Sequence, residues 1–296
     1  MKIGIDVGGT KTEGMLISSD GGELERKRIN TIKNYEGTIE GIVSIIKEFE
    51  NKHGKCSSVG IGMPGAVSSD TALIKNANSI WLNGKPLKKD LENELNRKVN
   101  LANDANCFAL SEAIDGAGIN GEIVFGVIIG TGVGGGLVIN KKVIQGKNNI
   151  CGEWGHIALP NRTEDEKKYV KDCYCGKKGC IETYISGPGF ASCFNLRNNK
   201  DYDSHQIINY FKKNDQNCKD ALIRYVDHLA RGLSIVCNIL DPDVVVLGGG
   251  MSNIEFIYEN IDEAMKKYIF SDTINTKIIK NIHGDSGGVR GAAWLS

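Results

Sequence analysis

Short runs of apolar, β-branched residues alternate with segments of helical periodicity along the chain, a pattern typical of an α/β fold. Extended runs bounded by glycine or polar residues predict strands at residues 2–7, 14–18, 58–63, 99–102, 125–129, 137–140 and 244–247. Apolar residues three or four positions apart predict helices over 39–49, from about residue 104, and over 222–240. Gly54 and Asp241-Pro242 are suited to ending the first and last of these helices, and Ser252-Asn253-Ile254-Glu255 predicts a capping box for one more.

One pattern, a strand followed by a glycine turn and a second strand, occurs twice. The first copy is Gly4-Ile5-Asp6-Val7-Gly8-Gly9-Thr10-Lys11-Thr12, and the second contains Gly130-Thr131-Gly132-Val133-Gly134-Gly135-Gly136. The repetition predicts two related lobes. We place one lobe at residues 1–117 with 284–296 and the other at 118–283, with a hinge near residues 115–121.

Both glycine turns are candidate phosphate sites. Glycines leave backbone N–H groups open to a phosphate, and Asp6, Thr10 and Lys11 add a carboxylate, a hydroxyl and a positive charge. The first copy is neither a Walker loop nor a dinucleotide-binding motif, and a tight hairpin would explain it if it stood alone. Gly248-Gly249-Gly250, between an apolar strand and a helix, is a third candidate, for the adenosine side of a nucleotide. The alternative there is a close strand-to-helix packing turn.

The clearest local signal is a group of metal-binding residue types: Cys173-Tyr174-Cys175 and then Cys180, with His156 upstream. One imidazole and three thiolates form a tetrahedral zinc set, and four protein ligands leave no position for water, so we predict a structural zinc ion. Reduced surface cysteines are the alternative. The other six cysteines are scattered and are expected to be small buried side chains: Cys56, Cys107, Cys151, Cys193, Cys218 and Cys237.

Three acidic residues are candidates for substrate chemistry. Asp104 follows Asn103 where a strand is predicted to give way to a helix, so it could accept a proton from a hydroxyl group or simply cap the helix. Glu153 and Glu182 lie close in sequence to the predicted zinc ligands, where acceptor groups suit a polyhydroxyl ligand. Ordinary surface carboxylates are the alternative for both.

Composition narrows the class of protein. The 296 residues suffice for about two domains, and 36 basic against 36 acidic residues argue against a protein that coats nucleic acid. Asp6 interrupts the first apolar run, so no signal peptide is predicted, and the longest uncharged run is too rich in glycine for a membrane helix. We expect a cytoplasmic protein with no nucleic-acid or membrane partner.

Together, these motifs resemble the ROK family of bacterial sugar kinases and repressors. The matching segments, in the family's order, are residues 6–11, Gly62-Met63-Pro64-Gly65, Asn103-Asp104-Ala105-Asn106, 130–136, Gly152-Glu153-Trp154-Gly155-His156, 173–182, 248–250 and 284–293. They cover nearly the whole chain. The first strand is predicted to begin at Lys2, which leaves no room for the DNA-binding segment of the family's repressors, so we expect an enzyme.

The resemblance implies a fold and a set of roles. The fold would be the actin/hexokinase-type ATPase fold, with two ribonuclease-H-like α/β lobes, a zinc knuckle, and MgATP and sugar bound between the lobes. Asp104 would be the general base, and the sugar contacts would be Gly65, Asn78, Asn103, Glu153, His156 and Glu182. The zinc ligands would be His156, Cys173, Cys175 and Cys180. ATP would be held by Gly4, Gly8, Gly9, Thr10, Lys11, residues 130–136 and residues 248–250, with Asp6 positioning Mg²⁺.

The resemblance is less specific about the sugar. The segment Asn76-Ala77-Asn78-Ser79-Ile80-Trp81-Leu82-Asn83-Gly84-Lys85-Pro86 resembles the fructokinase and mannokinase branch, in which a bulky Trp81 near C2 of the sugar would exclude an acetamido group. We therefore expect phosphorylation of the C6 hydroxyl of fructose or mannose, with glucose possible. The alternatives are an N-acetylglucosamine or N-acetylmannosamine kinase and a non-catalytic sugar sensor. The family resemblance also implies a homodimer. The charged residues 161–172 are expected to form a solvated surface segment without a role.

Overall fold

Two five-stranded sheets form the framework of the protein. The computed structural model describes residues 1–295, apart from the side chain of residue 285, so Ser296 of the first predicted lobe lies outside it. The strands are β1 (Lys2–Val7), β2 (Lys11–Ile17), β3 (Glu23–Asn30), β4 (Ser58–Met63), β5 (Ala66–Val67), β6 (Ile74–Lys75), β7 (Asn100–Asn103), β8 (Ile123–Ile129), β9 (Val133–Ile139), β10 (Lys142–Val143), β11 (Val244–Gly248) and β12 (Lys277–Lys280). The helices are α1 (Tyr35–His53), α2 (Leu87–Leu95), α3 (Asp104–Asp115), α4 (Glu164–Lys168), α5 (Glu182–Ile185), α6 (Gly187–Asn198), α7 (Ser204–Phe211), α8 (Gln216–Leu240), α9 (Glu255–Met265) and α10 (Gly287–Trp294).

The two sheets have the same strand order, which confirms the repeat predicted from the glycine turns. The first sheet has the order β3-β2-β1-β4-β7 and the second β10-β9-β8-β11-β12, while β5 and β6 form a separate hairpin. In the first sheet β1 is antiparallel to β2 and parallel to β4. In the second, β11 is parallel to both β8 and β12. The mixed α/β architecture is as predicted.

The chain divides into two compact units. Unit 1 contains Met1–Asn120, Gly136–Gly152 and the residues from Ile282 onward, and unit 2 contains Gly121–Gly135 and Glu153–Asn281. Unit 1 is therefore assembled from three separate stretches of chain, the last of them far from the other two in sequence. The strand β9 contributes residues to both units.

In unit 1, α10 lies directly on the backbone of its neighbours. A Cβ atom added at Gly4, Gly60 or Gly291 would lie only 1.6–2.1 Å from a backbone oxygen of the facing element. Only glycine permits so close an approach. Gly4, predicted to hold a cofactor, thus has a packing role against α10.

On unit 1, α1 behaves as its apolar periodicity predicts. It buries Ile42, Ile46 and Phe49, and it ends at Gly54, which has a φ of 86°. The positive φ is readily adopted by glycine at a helix end, which confirms the predicted stop.

In unit 2, the predicted long helix is α8, and it buries one apolar face from Leu222 to Val236. The prediction that residues 161–172 form a solvated segment is wrong at its centre. Glu166 of α4 is buried, accepts hydrogen bonds from His228 and Arg231 of α8, and closes a capping box with Thr163. Burial raises the pKa of Glu166, but the hydrogen bonds from His228 and Arg231 outweigh it and hold the pKa well below the usual range.

Two local predictions need correction. Ser252 does not cap a helix, because its hydroxyl donates to the Gly249 carbonyl at 2.7 Å within a short 3₁₀ turn over Gly250–Asn253. The helix α9 begins at Glu255 without a side-chain cap. In the second glycine motif, β9 already begins at Val133, so Gly134 to Gly136 belong to the strand and not to the turn.

Along residues 1–295, no helix is both long and apolar enough to cross a membrane.

Candidate functional site

The first glycine turn connects β1 to β2. It is closed by a 3.0 Å hydrogen bond from the Gly8 N–H to the Lys11 carbonyl, and the hydroxyl of Thr31 donates to the Gly8 carbonyl at 2.8 Å. Gly9, Thr10 and Lys11 are exposed at its tip. The turn therefore presents backbone, a hydroxyl and an ammonium group, which suits a phosphate. Thr31 was not predicted, because it follows a different strand and only the fold brings it to the turn.

Asp6 is the penultimate residue of β1, and glycines lie around its carboxylate. A Cβ at Gly62 would lie 3.6 Å from one carboxylate oxygen, and a Cβ at Gly288 would lie 3.1 Å from the other. Burial, and then the charge of Asp104, raises the pKa of Asp6 to about 7. Two carboxylates that repel each other in this way are suited to sharing a divalent cation.

Asn103 and Asp104 form the start of α3. The Asn103 side chain caps the helix by accepting from the Ala105 N–H at 2.9 Å, and its amide donates to the Gly65 carbonyl at 3.0 Å. The structure therefore brings together two of the residues predicted to contact sugar, Asn103 and Gly65. Asp104 is exposed, and its Oδ1 accepts from the Ala105 N–H at 2.8 Å, which orients the carboxylate.

The segment predicted to set sugar specificity has a packing role in unit 1. Asn78 is exposed, but the Trp81 ring packs on the unit 1 core, and its indole N–H donates to Thr38 of α1 at 3.1 Å. These contacts give the Trp81 ring a packing role in unit 1.

The second glycine turn is short and is held by Glu182. The Gly130 N–H donates to the Gly132 carbonyl at 2.9 Å, and the Val133 N–H donates to the Glu182 carboxylate at 2.8 Å. Thr131 is exposed at the tip. A Cβ at Gly132 would lie 2.9 Å from the same carboxylate, so a larger residue at this position would require the carboxylate to shift.

The strand after this turn anchors the Gly-Glu-Trp-Gly-His segment. The Trp154 indole N–H donates to the Gly134 carbonyl at 3.1 Å, and a Cβ at Gly155 would lie 2.5 Å from the Val133 carbonyl oxygen. Val133 and Gly134 of β9 therefore act as part of a packing surface.

The three residues of the third glycine run, Gly248 to Gly250, differ in their surroundings. Gly248 is the buried end of β11, and Gly249, with a φ of 81°, packs against the backbone of Ile129. The α-carbon of Gly250 faces open space, with no described atom within 4 Å of a built Cβ. The packing alternative therefore explains Gly249, and Gly250 is the accessible member of the run.

The predicted metal ligands His156, Cys173, Cys175 and Cys180 come together in unit 2. Their ligand atoms all lie within 4.8 Å of one another. The Cys175 and Cys180 sulfurs are 3.7 Å apart, and the Cys173 sulfur is 3.5 Å from Nδ1 of His156. In a tetrahedral site with ordinary zinc bond lengths, these edges would be about 3.8 and about 3.6 Å. The donor set and its spacing thus fit one tetrahedral metal ion.

Around this cluster lie the two predicted acidic contacts and one aromatic residue. Glu153 is exposed, while Glu182 is buried, with one carboxylate oxygen 4.0 Å from the Cys173 sulfur. Glu182 therefore connects the second glycine turn to the cluster. Tyr174, whose place between two predicted ligand cysteines was its only signal in the sequence, contacts His156.

Two units built on this strand order, each with a glycine turn after the first strand of its sheet, are characteristic of the actin/hexokinase class of ATPase fold. A model of the ROK family matches residues 2–296. N-acetyl-D-glucosamine kinases from Vibrio atlanticus and Escherichia coli are each 38% identical to this chain over 300 residues, which cover 100% of it and 99% of the relative.

Solved structures of ROK proteins have the same fold as this chain. The ROK hexokinase from Thermus thermophilus has a TM-score of 0.88 at 27% identity. A ROK family glucokinase from Streptomyces griseus, in complex with glucose and AMPPNP, has a TM-score of 0.78 at 25% identity. Each comparison covers 100% of this chain and 98% of the other. The chain belongs to the ROK family, and it is a phosphotransferase with an alcohol acceptor on a sugar.

These relatives overturn the expectation of a fructose or mannose kinase. The full-length relatives at 38% identity are N-acetyl-D-glucosamine kinases, which supports the alternative that we had placed second. The expectation rested on Trp81 and its segment, which therefore do not distinguish the two kinds of sugar; the Trp81 indole N–H donates to Thr38 of α1.

Proposed function

We propose that this protein is an ATP-dependent N-acetylglucosamine kinase that transfers the γ-phosphoryl group of ATP to the C6 hydroxyl. Its similarity over the full length to N-acetyl-D-glucosamine kinases carries the proposal. Phosphoryl transfer needs a positioned acceptor, a base and neutralisation of charge, with little covalent chemistry from the protein. Each of these needs has a candidate residue. A homodimer stays a prediction.

Asp104 is the proposed general base. It is exposed at the start of α3, and its carboxylate is oriented by the Ala105 N–H. An oriented carboxylate within reach of the acceptor takes the proton from the C6 hydroxyl as the oxygen attacks phosphorus. The contacts proposed for the sugar are Gly65, Asn78 and Asn103 in unit 1 and Glu153, His156 and Glu182 in unit 2.

The proposed ATP contacts are the exposed parts of the glycine turns: Gly9, Thr10 and Lys11 in the first, Thr131 in the second, and Gly250 near the adenosine. Asp6, which lies close enough to Asp104 for the two charges to interact, is the proposed residue for Mg²⁺. Bound Mg²⁺ supplies neutralisation of the charge that develops on the phosphoryl oxygens.

The cluster of His156, Cys173, Cys175 and Cys180 is proposed to hold a structural zinc ion. Three thiolates and one imidazole prefer zinc, and four protein ligands close the coordination sphere. The zinc would hold His156 and the neighbouring Glu182 in place for the sugar, and it would not activate water.

The test is ADP release in a coupled assay with MgATP and five acceptors: N-acetylglucosamine, N-acetylmannosamine, glucose, mannose and fructose. We expect N-acetylglucosamine to have the highest kcat/KM by at least tenfold, which corresponds to about 1.4 kcal/mol of transition-state discrimination. A lead by any other sugar would refute the substrate, and no turnover with any of them would refute the kinase.

The role of Asp104 is tested with Asp104→Asn. We expect kcat to fall at least a thousandfold, because asparagine has nearly the same shape as aspartate but cannot act as a base. Asp70→Asn removes a carboxylate at another exposed position of unit 1 and should retain wild-type kcat. An Asp104 variant with near-normal kcat would show that the base lies elsewhere.

A further inference from the structure

Tyr174 is a large aromatic residue left in solvent beside the metal cluster. Its side chain is 85% exposed, although it lies between two cluster cysteines. Its hydroxyl oxygen is 3.0 Å from Nε2 of His156, and the two rings meet edge to face, with centroids 5.2 Å apart and planes at 87°. An exposed tyrosine with so few contacts has little to contribute to the core, so its contact with His156 needs another explanation.

The two nitrogens of His156 face different partners. Nδ1 lies 3.5 Å from the Cys173 sulfur, on the cluster side, and Nε2 lies on the Tyr174 side. A nitrogen that binds a metal carries no proton, so the proton of a neutral imidazole resides on Nε2 and is donated to the tyrosine oxygen. Such an outer partner fixes the tautomer and the orientation of a metal-binding histidine.

We propose that Tyr174 is a positioning residue for His156, and that a hydroxyl group of the acceptor sugar replaces it when the sugar binds. In the free enzyme the tyrosine oxygen accepts the Nε2 proton; in the complex a sugar oxygen accepts it instead. The second part rests on the proposed function, which assigns His156 to the sugar.

Two observations support the exchange. Moving an exposed side chain held by one hydrogen bond and one edge-to-face ring contact costs little, because each contributes only about 1 kcal/mol. The Tyr174 hydroxyl is also within electrostatic reach of Glu182 and Glu153, the two acidic residues proposed to contact the same sugar. The hydroxyl thus stands among the groups that would receive the sugar.

The test compares zinc-loaded wild type with Tyr174→Phe, which keeps the ring and removes the hydroxyl. Zinc release is followed by transfer to a chromogenic chelator, with and without saturating N-acetylglucosamine. We expect release from the variant to be about fivefold faster without sugar, because Nε2 loses its acceptor. We expect saturating sugar to bring the variant back to the wild-type rate. Tyr169→Phe, whose ring lies against Arg197 at 4.6 Å, is the matched control and should release zinc as wild type does.

Equal release rates for wild type and Tyr174→Phe would overturn the positioning role. Faster release that sugar does not slow would overturn the exchange. Failure of the proposed function would appear as a lack of turnover by the wild-type enzyme. The rate of zinc release without sugar does not depend on turnover, so the two failures can be distinguished. A cooperative thermal melt of Tyr174→Phe would exclude misfolding as the cause of faster release.

Discussion

Asp6→Asn should abolish the pH dependence that one buried carboxylate imposes on stability. The fold raises the pKa of Asp6 from 3.8 to about 7, chiefly by burial and secondly by the charge of Asp104. The folded state therefore binds this proton more tightly than the unfolded chain does. Stability falls as pH rises from about 4 to about 7, and then levels off. The asparagine variant, which has no proton to lose, lacks this fall.

The size of the effect follows from the shift. About three pKa units at 1.36 kcal/mol per unit give about 4 kcal/mol in full, of which about 2–3 kcal/mol falls between pH 5 and pH 7.5. The free energy of unfolding is measured with urea at both pH values, without Mg²⁺ or nucleotide. Between pH 5 and pH 7.5, the unfolding free energy of the variant should rise by about 2–3 kcal/mol relative to that of the wild type.

Two control variants test whether the Asp6 carboxylate causes this pH dependence. Asp70→Asn, at an exposed position, should follow the wild type at both pH values. Asp104→Asn removes the second-largest cause of the shift and should lessen the pH dependence without abolishing it. A constant difference between wild type and Asp6→Asn at pH 5 and pH 7.5 would refute the reasoning.

Three further changes test other parts of the molecule. Glu166→Gln should cost about 2–3 kcal/mol of unfolding free energy, because it removes one of the two carboxylates paired with buried Arg231 and leaves only Asp227, 3.0 Å away; a loss under about 1 kcal/mol in urea would contradict this. Gly291→Ala places a Cβ 1.6 Å from the Cys107 carbonyl oxygen and should cost at least about 3 kcal/mol, whereas the unobstructed Gly250→Ala should leave the melting temperature almost unchanged. Cys175→Ser should lower zinc content, measured by atomic absorption, and the melting temperature together, because metal binding contributes to folding at such sites; undiminished zinc would exclude it as a ligand.

Local pattern was enough to predict most of the framework. The strand over Ser58–Met63 and the helix stop at Gly54 follow from periodicity and from the conformational freedom of glycine, both of which act within a few residues. The four metal-cluster residues could also be predicted, because three of them share one short segment and their residue types restrict the chemistry.

The errors involve partners that are distant in sequence. Glu166 looks like a surface residue until α8 brings Arg231 to it. The interpretation of Trp81 as a specificity residue did not include its hydrogen bond to Thr38 of α1, which only the fold brings to it. A sequence pattern gives the chemical type of a side chain but not the group that it meets, and specificity depends on the latter.

The position of α10 sets an order for folding during synthesis. Its backbone lies against β1 and β4, the first and fourth strands, with no room for side chains at Gly4 and Gly60. The ribosome must therefore translate as far as Trp294 before the first sheet can be covered, whereas every residue of unit 2 has been synthesised by Asn281. Until then, one face of the earliest strands is unprotected, and such a face is open to aggregation or to a chaperone. We expect ribosome-bound chains that end before α10 to be protease-sensitive in unit 1 and already resistant in unit 2.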